Sequence, residues 1–444
     1  MTKETTIIAQ ITPPGIGAVS VIRISGKLAF DILYKLINYK KELKHKQVFY
    51  TTIKDNDNVI DDVIILPFFS PNSYTGEDVI EISTHGNPLI VKKIIELAIK
   101  HGAKPAENGE FTQRAFLNGK LNLLEAEAIA DIINSSNEIA LNWARKQKST
   151  FYTNKINELK EKIINAISLV ELELDFSEED LEFINRNQLT TLLKNVINTI
   201  DSYIKSFEYG SIIKNGYNIA IIGKPNVGKS SLLNAILKDD RAIVTNIPGT
   251  TRDIIKEQIN LKGYLVNFID TAGIRETDDL IEDIGVKKSF DILHKSDVVI
   301  YLNDISTGID TSLLNKIKTY NNNVILVGNK CDLYNSDKNL YDITISAKNN
   351  INIDILLDII YNNINNKNIY TENDLVITNI RHKLLLEEAK NYLLSSINTI
   401  ELGFTGELIS VDIRNAIDKL SEIIGVITTD DILNNIFSRF CIGK

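Results

Sequence analysis

The sequence predicts an α/β fold with added helices: a small N-terminal α/β domain, a helical bundle in two parts, and a second α/β domain inserted between them. Three observations carry this. Strand-like runs separated by Pro-Gly and Asn-Gly signals fill the first part of the chain. No proline occurs between Pro105 and Pro225, and apolar residues recur at helical spacing across that interval. Residues 218–231, NIAIIGKPNVGKSS, then join an apolar run, a glycine-rich loop and the start of another helix.

In residues 1–118, the patterns predict strands over 6–11, 19–24, 59–66 and 78–83 and a helix over 88–100. The lysine-rich stretch 35–46 reads as a solvated helix end and loop, with an RNA-facing patch as the alternative. Residues 119–214 are expected to be helical: Leu123, Ala126, Ala130 and Ile133 share one face, as do Ile163, Ile167, Val170 and Leu174. Residues 215–367 alternate strands with helices. Their last six, NNINNK, read as a linker. Amphipathic stretches at 374–398 and 406–424 make 368–444 the second part of the bundle.

The length of 444 residues suits roughly three domains. With a formal net charge of −9, the surface as a whole does not attract nucleic acid, so any RNA contact needs a local patch. Cys331 and Cys441 lack metal-ligand spacing and fit a reducing compartment. No apolar stretch is long enough to cross a bilayer. The first residues, MTKETTIIAQ, read neither as a signal peptide nor as a transit peptide, and the expected location is the cytoplasm.

The glycine-rich loop points to phosphate chemistry. Backbone N–H groups of Asn226, Val227, Gly228, Lys229, Ser230 and Ser231 can wrap a β-phosphate, and the helix N-terminus adds partial positive charge. Lys229 can reach the β- and γ-phosphates, and the Ser230 hydroxyl can ligate Mg²⁺. Further elements follow in order. Thr245, Asn246, Ile247, Pro248, Gly249, Thr250 and Thr251 precede Arg252-Asp253, with a threonine that can complete the Mg²⁺ shell. Asp270, Thr271, Ala272 and Gly273 follow a strand-like run and place a carboxylate beside the metal. Asn329, Lys330 and Asp332 follow another strand-like run, and Ser346, Ala347 and Lys348 a third. Asp332 can accept from the ring N–H and exocyclic amine of guanine, a paired contact that adenine does not offer. In isolation it would read as a loop or helix-cap residue.

Small GTPases of the Ras type carry a water-orienting glutamine directly after the Asp-x-x-Gly element. Ile274 stands there and cannot hold water. Glu282 is one substitute, with a solvated loop carboxylate as the plainer reading. The Asn226 carbonyl can ligate a monovalent cation that neutralises transition-state charge, or simply hold the turn.

At this point the chain resembles the MnmE (TrmE) family of bacterial tRNA modification GTPases, among the TrmE-Era-EngA-like GTPases. The resemblance rests on TPPGIGAVSVIRISG at 12–26, PNSYTGEDVIEISTHG at 71–86, PAENGEFTQRAFLNGKLNLLEAEAIADII at 105–133, GKPNVGKSSLLN at 223–234, IPGTTRD at 247–253, and the terminal Cys441-Ile442-Gly443-Lys444. It implies an N-terminal tetrahydrofolate-binding domain over 1–118, a discontinuous helical domain over 119–214 and 368–444, and an inserted Ras-like P-loop G domain over 215–367. It also implies a homodimer formed through the N-terminal domains, and joint action with the flavoprotein MnmG (GidA). Together they would install aminomethyl or carboxymethylaminomethyl groups at carbon five of the tRNA wobble uridine, with a folate derivative supplying one carbon.

Residue by residue, the resemblance makes Asn226, Thr245, Ile247 and Thr250 the K⁺ ligands, Ser230 and Thr251 the Mg²⁺ ligands, and Glu282 the catalytic glutamate. Arg23, Glu81, Lys120 and Lys444 resemble the folate contacts; basic groups suit an acidic folate tail and a carboxylate suits pterin N–H donors. Cys441 resembles a functionally important cysteine, where composition alone suggests a small apolar residue near the terminus. Two other readings stay open. A ribosome-assembly GTPase would usually add a basic RNA-binding module, yet residues 371–444 hold seven Lys or Arg against eleven Asp or Glu. A nucleotide switch on an interaction scaffold would show no turnover.

Overall fold

Alternating isoleucine and valine residues organise the first sheet, which has the order β3-β4-β5-β2-β1-β6. The structure, a computed structural model, describes residues 5–37, 42–175, 186–238, 242–244, 255–269, 292–334, 340–367, 370–371, 373–426, 430–438 and 440–444. The strands are β1 (Ile7–Gln10), β2 (Gly17–Ser25), β3 (Phe49–Asp55), β4 (Asn58–Phe68), β5 (Val79–Gly86) and β6 (Lys104–Pro105). Ile22, Ile24, Ile80, Ile82, Val63 and Ile65 face α1 (Ala29–Leu36) and α2 (Pro88–Lys100) in one core. Helix α2 starts at Pro88, and the Asn87 side chain caps it by accepting from the Leu89 N–H at 2.9 Å. The opposite face of the sheet carries Arg23 and Glu81 and exposes Val19, Tyr50 and Ile64.

The chain divides into two compact units. One combines Met1–Ala130 with Gln147–Ile167 and Ile413–Lys444; the other combines Asp131–Lys146 with Ser168–Asp412. In the first unit, α3 (Glu110–Leu117) follows the sheet. The helices α4 (Leu123–Asn134), α6 (Thr150–Asp175) and α12 (Gly406–Ile424) each have part of their length in this unit and α13 (Asp430–Phe437) lies wholly within it, whereas α5 (Glu138–Lys148) belongs almost entirely to the second unit. Leu123 and Ala126 pack with Leu433, Phe437 and Phe440, so the end of the chain is anchored by apolar burial.

In the second unit, the long α7 (Arg186–Asn215) turns through Gly216 straight into β7 (Tyr217–Ile222). The second sheet has the order β13-β12-β11-β7-β10-β9-β8. It is built from β7, β8 (Ala242–Val244), β9 (Ile255–Leu261), β10 (Tyr264–Ile269), β11 (Val298–Asp304), β12 (Val324–Asn329) and β13 (Ile343–Ile345). Helices α8 (Lys229–Lys238), α9 (Thr311–Tyr320) and α10 (Ile353–Asn365) alternate with the parallel strands. The chain then returns as α11 (Ile380–Glu401) along α7. Lys194 meets Glu401, Asp201 meets Lys390, and the Ser206 hydroxyl accepts from the Ile377 N–H, so the two helices run antiparallel.

Several elements differ from the sequence reading. Exposed Lys35 lies in the last turn of α1, as the helix-end reading of 35–46 expects, but the eight-residue helix it closes is too short for periodicity to announce. Strand β3 and helix α3 were likewise not expected from pattern. The NNINNK stretch is not a free linker: α10 runs to Asn365 because Ile353, Leu356, Leu357, Ile360 and Ile364 form one buried stripe. The helix expected from 374 begins at Ile380, because Leu375, Val376 and Ile377 are buried in extended chain and Asn379 supplies the cap.

The β9–β10 hairpin is tied to α7. Buried Tyr209 and Tyr264 share a hydrogen bond of 3.0 Å between their hydroxyls. The Asn267 amide donates to the Asn215 carbonyl and the Asn218 side chain. Replacing Tyr264 by Phe leaves the Tyr209 hydroxyl without this partner, so the variant should lose about 1–3 kcal/mol of stability. A lowered denaturant midpoint would show it; an unchanged midpoint would mean the pair contributes nothing net.

Candidate functional site

Strands β7, β11, β12 and β13 are parallel, so the chain leaves all four along one edge of the second sheet. Crevices at such edges are where α/β sheets bind ligands. The loop from Gly223 to Gly228 follows β7, and α8 begins at Lys229. Asn226 and Gly228 both adopt positive φ, 62° and 101°. At Gly228 a Cβ would stand 2.4 Å from the Asn329 amide nitrogen, so only glycine fits.

That nitrogen explains the local order. Asn329 is buried at the end of β12. Its amide donates to the Val227 carbonyl at 2.7 Å, and its side-chain oxygen accepts from the Ala347 N–H at 3.0 Å. One side chain thus joins the glycine-rich loop to the Ser346–Lys348 segment. Buried Ser346 accepts from the Asn349 N–H, and exposed Asp332 accepts from the Asn349 amide at 2.9 Å. The Lys229 ammonium donates to the carbonyls of Gly223 and Lys224 at 2.6 and 3.0 Å. Ser230 and Ser231 are exposed in the first turn of α8, and Lys348 is exposed beside Ala347.

Thr245, Asn246, Ile247, Pro248, Gly249, Thr250, Thr251, Asp270, Thr271, Ala272, Gly273 and Glu282 lie outside the described residues. Among the residues that sequence reasoning missed, Asn349 directly follows the Ser-Ala-Lys element, and Asp304 ends a strand-like run. Neither position was signalled by a chemical pattern.

The first unit holds a second constellation. Arg23 and Glu81 stand opposite each other on β2 and β5, with Nε and Nη2 both donating to Glu81 Oε1, at 3.0 and 2.7 Å. The guanidinium lies 4.9 Å from the Tyr74 ring centroid and 5.5 Å from that of Phe111. Arg23 is 8% exposed, and its buried Nη1 has no hydrogen-bond partner. The chain terminus joins it. Ile442 bridges to Asn108, the Phe111 N–H donates to the Lys444 carbonyl, and Gly443 sits at φ 96° with room for no Cβ against the Gln10 carbonyl. Burial, then the Arg23 charge, pushes the Lys444 ammonium below its usual range, while Glu81 pulls the other way. Cys441 is exposed. The structure therefore brings Arg23, Glu81 and Lys444 together. Lys120 instead donates to the Pro71 carbonyl at 3.0 Å, on the loop that carries Tyr74.

Known proteins match nearly the whole length of this chain. Residues 6–120 match the family model for the GTP-binding protein TrmE N-terminus, and 123–441 match the MnmE helical domain. The chain is 42% identical to the tRNA modification GTPase MnmE of Thermoanaerobacter sp. (strain X514), over 99% of each chain. The chain belongs to the MnmE family. The MnmE of Cytophaga hutchinsonii is also 42% identical, over 99% of this chain and 98% of that protein. The solved structure of a single-residue variant of Aquifex aeolicus Era, bound to GDP·AlF4⁻, is 27% identical over 40% of this chain and 66% of that chain, with TM-score 0.27. MnmE membership accounts for the N-terminal and helical segments, which the ribosome-assembly reading leaves unexplained. No helix among the described residues is long and apolar enough to cross a membrane.

The Asn329 tie generates a test. Asn329→Ala strands a buried carbonyl and a buried N–H, each costing roughly 1–3 kcal/mol. Guanine-nucleotide binding measured by calorimetry should fall by at least about tenfold and the melting temperature should drop. Unchanged affinity would separate the two loops functionally.

Proposed function

We propose that this chain is a K⁺-dependent GTP hydrolase that works with MnmG (GidA) and tRNA to place aminomethyl or carboxymethylaminomethyl groups at carbon five of the wobble uridine, using a folate one-carbon donor. Hydrolysis coupled to tRNA modification follows from membership of a family whose curated relatives are tRNA modification GTPases over their full length. The observation that carries the nucleotide reading is the Asn329 bridge, which holds the phosphate loop and the base-reading loops at one sheet edge.

In this reading Lys229 leaves the loop carbonyls for the β- and γ-phosphates, and the N-terminus of α8 meets their charge. Ser230 and Thr251 would hold Mg²⁺. Asn226, Thr245, Ile247 and Thr250 would hold K⁺. Glu282 would orient water where Ile274 does not. Asp332 would read guanine, with Ser346 and Ala347 beside it.

The Arg23 constellation fits a folate. A buried guanidinium N–H without a partner favours an anionic or carbonyl acceptor, and the half-buried Lys444 ammonium adds charge. Tyr74 and Phe111 supply aromatic surface. The bound folate would supply the one-carbon unit; the chain's own groups bind and orient it, with Cys441 exposed nearby in sequence. Lys120 would reach the ligand only by leaving Pro71. Residues 1–118 would serve folate binding and dimerisation, 119–214 and 368–444 the helical domain, and 215–367 the G domain. The exposed Val19, Tyr50 and Ile64 on the sheet face opposite α1 and α2 suit a homodimer contact. Two free cysteines suit the cytoplasm.

Two experiments test these assignments. Asp332→Asn should weaken GTP binding by several kcal/mol and shift preference toward xanthine nucleotides; unchanged GTP affinity would sink the base-reader assignment. In the second, phosphate release in K⁺ and Na⁺ is paired with analysis of wobble nucleosides in a complemented null strain. Hydrolysis should slow strongly in Na⁺. Deleting 441–444 should leave K⁺-stimulated hydrolysis nearly intact and abolish modification. Equal kcat in both salts would remove the cation, and normal modification by the truncated chain would remove the tail from the folate site.

A further inference from the structure

Lys330 is held by a residue that no nucleotide motif names. It follows β12 with φ 69°, a left-handed conformation that lysine adopts only under constraint. Its ammonium meets Asp304 Oδ2 at 2.5 Å. Asp304 ends the neighbouring strand β11, opposite Asn329 in the parallel register. The carboxylate is itself fixed. Its Oδ1 accepts from the Ser306 N–H at 3.0 Å and the Ser306 hydroxyl at 2.7 Å, and its side chain is 11% exposed. Each carboxylate oxygen therefore has its own partner. Burial would raise this carboxyl, but hydrogen bonds from Lys330 and Ser306 outweigh it and hold it below the usual range, so it is ionised at neutral pH.

We infer that Asp304 is a positioning residue for guanine-nucleotide binding, acting by holding the Lys330 side chain extended. A lysine tied at its far end presents its methylenes as a fixed apolar strip. Such a strip suits the flat face of a base whose edge is read by Asp332, two residues further on. With the head group anchored in advance, less side-chain entropy is lost when the nucleotide arrives. This inference rests on the guanine reading of the site.

The test uses the full-length chain and a fluorescent GDP analogue. Asp304→Asn should speed release of the analogue roughly tenfold and raise the KM for GTP by a similar factor, the size expected for a partly exposed charge-assisted hydrogen bond. The kcat at saturating GTP should stay within about twofold, since only uniform binding is lost. In a Lys330→Met background the same change should add little, because its effect passes through the lysine. Full additivity in that background, or unaltered release from Asp304→Asn, would overturn the inference and leave the pair as a pin between strand ends. Ser306→Ala, which loosens the carboxylate without removing it, is the milder variant; it should speed release about two- to threefold, and no change would count against the proposal. Binding of the analogue by the wild-type chain is the separate check: its failure would remove the guanine reading and this inference with it.

Discussion

The nucleotide site depends on one buried amide. Asn329 uses its donor on the glycine-rich loop and its acceptor on the Ser346–Lys348 segment. Buried amides have few ways to be satisfied, so the position of either loop constrains the other. The approach is close enough that Gly228 must lack a side chain. The asparagine that motif reading assigns to nucleotide binding is, in this geometry, a structural tie, while Asp332, three residues on, is exposed and accepts from the Asn349 amide.

The first unit shows the opposite electrostatic choice. Arg23 is buried with one donor unmatched, and a second cation, Lys444, is brought toward it by the docked terminus. Burying like charges together is costly, and Glu81 and two aromatic rings stand against Arg23 to offset that cost. That arrangement is the observation on which the anionic ligand proposed for this unit rests.

The described residues of the second unit also show how its sheet is joined to the long helix α7. The chain enters its sheet from α7 and leaves to pack back along α7 as α11, with charged pairs at successive levels. The Tyr209–Tyr264 bond and the Asn267 amide fasten the β9–β10 hairpin to the same helix. Elements remote in sequence are thereby held by a few directional contacts on one long element.

Much was legible in the sequence. The order of strand, glycine loop and helix at 217–238 follows from local pattern, because the loop glycines, the capping geometry and the apolar runs are all local signals. The long helix around Ile163 was legible for the same reason, since Ile163, Ile167 and Val170 recur at helical spacing and are buried. Other features were not. NNINNK reads as a linker by composition, yet one buried isoleucine, Ile364, keeps its first four residues in α10. Short α1 and β3 take shape from the core they cover. The pairing of Asp304 with Lys330 and of Asn349 with Asp332, and the approach of the Lys444 cation to Arg23, join residues on separate elements, and no spacing rule encodes those distances. The sequence by itself determined the residue types, the local elements and the family. Only tertiary structure decided which charged groups are buried, which are tied to one another and which remain free for a ligand, because desolvation and hydrogen bonding act between segments that the chain brings together only when folded.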